Sequence, residues 1–121
     1  MGARKFTDLI VWQKAYALSL QVHELTKSYP AAEHKLVGQM RAASSSIPMN
    51  IAEGFGRFTP KDQANFYAIA RGSADELKVQ LMLSQDYGYC SDTSALVLLA
   101  DEVCAMLYRL RQKVLLRDFG R

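Results

Sequence analysis

"SSSIPMNIAEGFGR", residues 44–57, decides how the chain is read. Before it, Leu36, Met40, Ala43 and Ile47 recur in steps of four and three, the spacing of one buried helix face. The same steps lead on to Asn50 and Gly54, so an amide and a glycine fall on a packed face. A buried amide without partners costs about 1–3 kcal/mol, so Asn50 is expected to be buried and hydrogen-bonded. Glu53 and Arg57 stand four apart in the favourable acid-before-base order, and Glu53 is expected to be buried against Arg57 or another base. Pro48 removes one helical hydrogen bond and crowds the Ser44 carbonyl, which predicts a bend reinforced by the neighbouring serine hydroxyls. Gln39, Ser46 and Glu53 form a polar line seven apart, beside the small residues Ala42 to Ser46. A helix in a lone bundle needs one buried face. The second, small and polar face predicts contact with another subunit.

Working outward, the rest of the chain is helical in period. Val11, Ala15, Leu18, Val22 and Leu25 mark the first helix. Phe66, Ala70, Ser73 and Leu77 mark the third, and Leu96, Leu99, Val103, Met106 and Leu110 the fourth. The three prolines and seven glycines punctuate these stripes. Pro30 closes the first segment, Thr59-Pro60 opens the third as N-cap and first helical residue, Gly88 ends it, and Ser91 or Asp92 caps the fourth. Helices of about 20–28 residues, roughly 30–42 Å long, joined by short connections favour an all-α, antiparallel up-down-up-down four-helix bundle. A long orthogonal array is the alternative. With 121 residues, half of them hydrophobic, a single domain spanning 1–121 is expected.

Chemistry is sparse. His23 and His34 stand outside any metal motif, and Cys90 and Cys104 have neither CxxC nor zinc spacing. No GxSxG, SxxK or Walker sequence is present, and the carboxylates form no ExxH repeat. No catalytic residue, metal site or cofactor is expected, and the protein reads as a non-enzyme. The N-terminal stretch lacks a signal peptide's apolar run and a myristoylation pattern, and no stretch nears the ~20 apolar residues of a membrane span. A cytoplasmic protein with no membrane partner is expected. Cys104, beside Val103, should be poorly reactive, and Cys90, in the Gly88–Asp92 turn, should react faster with a thiol reagent.

The net charge of +3 is modest, but its expected distribution is not. In an up-down bundle, residues 1–14, 50–64 and 109–121 share one pole. Ten bases (Arg4, Lys5, Lys14, Arg57, Lys61, Arg109, Arg111, Lys113, Arg117 and Arg121) face Asp8, Glu53, Asp62 and Asp118 there, a net of +6. At the other pole, over residues 22–36 and 84–101, two lysines face five acids, a net of −3. Helix dipoles account for part of this but not for Arg4, Lys5 and Lys61 near helix N-termini. Aromatic residues interleave with the bases at Phe55 to Lys61 and Tyr108 to Lys113; buried ring edges beneath a solvated face are the plainer explanation.

Three segments, "DLIVWQKA" at 8–15, "YPAAEHKLVGQMRAASSSIPMNIAEGFGR" at 29–57 and "ARGSADELK" at 70–78, resemble the 23S rRNA-intervening sequence protein family. Gln39, Arg41, Ala42, Ala43, Ser46, Ile47, Asn50, Ile51, Ala52, Glu53, Gly54 and Arg57 carry most of the likeness, followed by Gly72, Ser73 and Glu76. Met40 and Ala42 depart from the family's usual leucine or isoleucine and second arginine. The resemblance implies a helical bundle assembling as a ring of five. It also implies kinship with the accessory variability protein of diversity-generating retroelements, a basic pentamer that works with a reverse transcriptase and nucleic acid. The reading is a homo-oligomer, pentamer first, that binds RNA or a ribonucleoprotein partner, with RNA or DNA met through phosphates. Its phosphate-binding residues are Arg57, Lys61, Arg109, Arg111, Lys113 and Arg117. Gln39, Ser46, Asn50, Glu53, Gly54, Gly72, Ser73 and Glu76 serve packing and assembly. The alternatives are a protein-interaction scaffold and, third, an enzyme built around Asn50 and Glu53.

Overall fold

A computed structural model describes residues 2–119. Among them lie four α-helices and no strands: α1 (Ile10–Thr26), α2 (His34–Phe55), α3 (Pro60–Asp86) and α4 (Ser94–Phe119). Short 3-10 turns at Phe6–Asp8 and Ala31–Glu33 precede α1 and α2. No described helix is long and apolar enough to cross a membrane.

The punctuation works as local chemistry dictates. Thr59 caps α3, its hydroxyl accepting from the Asp62 N–H at 3.1 Å, and Pro60 takes the first helical position. Gly88, at φ 85°, ends α3 in a Schellman motif: Gly88 N–H donates to Gln85 O at 3.0 Å and Tyr89 N–H to Ser84 O at 2.9 Å. Two boundaries differ from expectation. α1 stops at Thr26, short of Pro30, where the Thr26 hydroxyl donates to the Val22 and His23 carbonyls. α4 starts at Ser94, so Thr93 rather than Ser91 or Asp92 holds the cap position; Asp92 still accepts from the Ser94 N–H at 2.9 Å.

Packing is consistent with a bundle, with α1 against α2 and α4, and α3 against α2 and α4. Leu18, Val22, Met40, Ile47, Ile51, Tyr67, Leu77, Leu81, Val103, Leu107 and Val114 fill the core. Along α2 and α3, Met40 touches Ser84, Ser46 touches Ser73 and Gly54 meets Tyr67, so one number falls as the other rises. Along α3 and α4 the pairs are Arg71 with Tyr108, Asp75 with Cys104 and Lys78 with Asp101. The expected face of α1 is the observed one from Val11 to Val22. On α4, Val103 is buried as expected, but the rest of the buried face lies to one side of the expected one. Ala100, Val103, Cys104, Leu107 and Val114 are buried, while Leu96, Leu99, Met106 and Leu110 sit half-buried at the flanks. α3 likewise buries Ala64, Tyr67, Ala70, Ala74, Leu77 and Leu81, with Phe66 and Ser73 half-exposed.

Candidate nucleic-acid interface

α2 runs through Pro48 as one helix. The Ser44 and Ser45 hydroxyls donate back to the Arg41 and Ala42 carbonyls at 3.2 Å, as expected for serines beside a proline. The apolar face passes from Ile47 through Ile51 to Gly54, which moves Asn50 to its edge. Half-buried Asn50 donates its amide to Ser46 O at 2.8 Å and Ser46 Oγ at 2.9 Å, and Ser46 Oγ lies 2.9 Å from Ser73 Oγ. A hydrogen-bonded chain therefore links the two helices. Burial of Glu53 is overturned. Its side chain is 55% exposed, because the turn to Ile51 leaves position 53 on the outside. It does pair with Arg57, at 3.3 Å. Gln39, Gly72 and Glu76 are exposed as well, and Gly54 is buried.

The basic residues divide into groups. Arg57 lies over the Phe66 ring, 4.6 Å from its centroid, and shares its charge with Glu53. Lys61 and Arg111 line one cleft between the start of α3 and the end of α4. Arg109 and Lys113 line another, against Leu9 and Ile10 at the start of α1. The Arg117 charge acts on Tyr67: burial raises the phenol's pKa and Arg117 opposes it. No described contact joins Arg57 to the α4 bases. Lys61, Arg109, Arg111, Lys113 and Arg117 form no ion pair with another described residue. Arg121 and the side chain of Asp118, counted with this pole, lie outside the described residues.

One contributor, Arg71, is not among the residues expected from the sequence, and one expected residue, Arg111, has an unexpected setting. Arg71 places its guanidinium over the Tyr108 ring, 5.6 Å from the centroid. The Arg111 Nε is enclosed and finds no hydrogen-bond acceptor among the described residues. Tyr108 stands in the mixed aromatic and basic run of α4, but its partner comes from α3, which a linear pattern does not reveal.

A family model for the 23S rRNA-intervening sequence protein matches residues 7–109. The chain belongs to that family. No curated protein matches it. The match spans α1, α2 and α3 with most of α4, so this 23S rRNA-intervening sequence family member carries within the matched region Arg57, Lys61 and Arg109 of its basic set. Arg111, Lys113 and Arg117 follow it.

Elsewhere, Lys78 bridges Asp75 and Asp101 at 2.9 Å each, pinning α3 to α4. Those hydrogen bonds, Asp101 first, raise the Lys78 pKa, and the bond from Lys78 lowers that of Asp75. Burial, with the Asp75 charge beside it, pushes the Cys104 thiol up to about 11. Among the described residues no cluster of His, Cys, Asp or Glu gathers as a metal site. On the opposite flank, Trp12, Tyr16 and Leu20 of α1 and Pro48, Met49 and Ala52 of α2 line an apolar groove of about 310 Å³. Trp12 and Tyr16 stack at 4.9 Å, and Leu20 and Met49 are more than half exposed.

Proposed function

We propose that this protein is a non-enzymatic, cytoplasmic RNA-binding subunit: one domain, an up-down-up-down bundle, closed into a homo-oligomeric ring with a pentamer favoured. The basic pole carries the contact with RNA, mainly through phosphates and with little sequence preference. The supporting observation is the gathering of Lys61, Arg111, Arg109 and Lys113 in two clefts beside α4, none of them in an ion pair with a described residue, with Asp62 the one acid lining either cleft. Clustered bases without acidic partners set up a positive field that attracts a polyanion, and repetition around a ring would multiply it. The exposed apolar groove of α1 and α2 supports the assembly, because contiguous apolar surface of this kind marks contact sites. The same groove favours the second reading, a protein scaffold without nucleic acid.

Binding of a labelled RNA at two salt concentrations separates them, with the mass read by light scattering. RNA binding is expected to weaken steeply with salt in a closed oligomer. A protein that fails to bind RNA but retains its mass leaves the scaffold, and a monomer at micromolar concentration removes the ring.

A further inference from the structure

The cleft holding Lys61 and Arg111 does not end there. It has a volume of about 470 Å³ and shares Ala68 and Arg111 with a second cleft of about 280 Å³, lined by Tyr67, Arg71, Gly72 and Tyr108. Together they form a trough along the α3–α4 seam. Arg71, Arg111 and Lys61 follow one another along it, and its floor is apolar and aromatic. Asp62 and Asp75 also line it, but Asp75 is held by Lys78 at 2.9 Å.

Two features of the trough have no use inside the subunit. The enclosed Arg111 Nε lacks an acceptor among the described residues. A donor in that position is costly until an acceptor arrives. Gly72 lies in the middle of α3 with ordinary helical backbone, and a Cβ built on it would meet no heavy atom within 4 Å. Glycine weakens a helix interior relative to alanine, and no neighbour in the subunit requires it here. What its missing side chain preserves is the mouth of the trough beside Tyr108, whose side is half exposed.

We propose that this trough takes an unpaired nucleotide of an RNA strand, with phosphate on Arg111 and Lys61 and the base against Tyr108. The inference rests on the basic pole being an RNA surface and adds the form in which the strand is held. The chemistry selects an unpaired strand. Cations spaced along a seam follow a backbone, and the Arg71 guanidinium over the half-exposed Tyr108 ring offers a planar stacking surface that a base inside a duplex does not reach. A free phosphate would use Arg111 and leave the aromatic wall idle.

The test compares a fluorescent single-stranded oligouridylate of about 12 nucleotides with an RNA duplex of equal length. The full chain is used, with mass and melting temperature recorded for each variant. The single strand is expected to bind about tenfold tighter than the duplex. Tyr108→Leu should remove about tenfold of single-strand affinity and leave the salt slope unchanged, since stacking releases no counterions. Arg111→Gln should lower that slope by about 0.7, one phosphate's worth. Gly72→Leu should fold, keep its mass and lose the preference for the single strand.

Equal binding of strand and duplex, unchanged by Tyr108→Leu and Gly72→Leu, would overturn the trough and leave the basic pole standing. A smaller mass for Gly72→Leu would assign that glycine to assembly and also overturn it. Absence of binding to either RNA would remove the pole and the trough together.

Discussion

α2 and α3 meet at Gly54 with no room to spare, whereas α3 and α4 leave an open trough at Gly72. A Cβ on Gly54 would stand 2.9 Å from the Tyr67 ring and 3.0 Å from Phe66 Cβ. The same atom on Gly72 would touch nothing within 4 Å. One glycine is explained by the fold, and the other is not. The contrast separates residues that let the helices close from residues that keep a surface open. Tyr67 belongs to both regions: its ring is packed under Gly54 and forms part of the wall at Gly72.

The largest effect is expected at the closed crossing. Gly54→Ala puts a methyl into the Tyr67 ring and should cost about 1–3 kcal/mol, the usual range for overpacking a core. Thermal unfolding checks this, and an unchanged melting temperature would break the comparison at its firm end.

The pinned end of the α3–α4 seam comes next. Lys78→Met removes both contacts to Asp75 and Asp101, and should cost up to about 1 kcal/mol because the carboxylates are more than half exposed. Its signature is in the pH dependence. Asp75, whose pKa is lowered in the folded chain, stabilises above the ordinary value of 3.8 and loses that contribution as pH falls through its lowered one. Lys78, raised above 10.5, contributes fully below that value and loses it as pH rises through the raised one. Acid unfolding should therefore be shallower in the variant between neutral pH and the range below 3.8. Identical acid profiles would remove the bridge from the account.

Thiol labelling sharpens the same seam without mutation. Cys104 packs against α3, 6% exposed, with its thiol pushed up to about 11. Cys90 is half-exposed in the turn after α3, its sulfur 3.6 Å from the Tyr29 hydroxyl. Near pH 8, Cys90 should react first, by at least about tenfold. Equal rates would mean that α3 does not cover Cys104.

The smallest effect is expected at Gly72 itself. Gly72→Ala should be neutral or stabilising by about 0.5–1 kcal/mol, the ordinary gain of alanine in a helix interior. A clear loss in melting temperature would show that the open trough has a packing role within the subunit or its assembly.

Much of the fold was legible where local chemistry has one solution. Thr59-Pro60, Gly88 and the Val11-to-Val22 face follow from capping, positive φ and a clean four-three spacing. α4 was harder to read because Leu96, Leu98, Leu99, Met106 and Leu110 surround the true centre. In so apolar a helix, the small Ala100 and Cys104 decide the contact, and spacing alone favours the larger residues. Asn50 is expected on the packed face and lies half-buried at its edge, while its need for partners is met by Ser46. Glu53 was misjudged because the face turns at Ile51, a choice made by α3 packing against α2. Of the candidate site, the bases of α4 stood out by number. The Arg71–Tyr108 pair and the unfilled space at Gly72 arise between helices, and nothing along the chain encodes them locally.

The most direct test of the basic pole is the salt dependence of RNA affinity in a variant carrying Arg109→Gln, Arg111→Gln, Lys113→Gln and Arg117→Gln together. Log affinity for a single strand falls against log salt by about 0.7 per phosphate contact, so losing four contacts should flatten the slope by up to about 3. Light scattering on the same sample fixes the assembly. A flattened slope and weakened binding at unchanged mass are the predicted result. An unchanged slope and affinity in a correctly assembled variant would contradict the assignment of RNA to this pole.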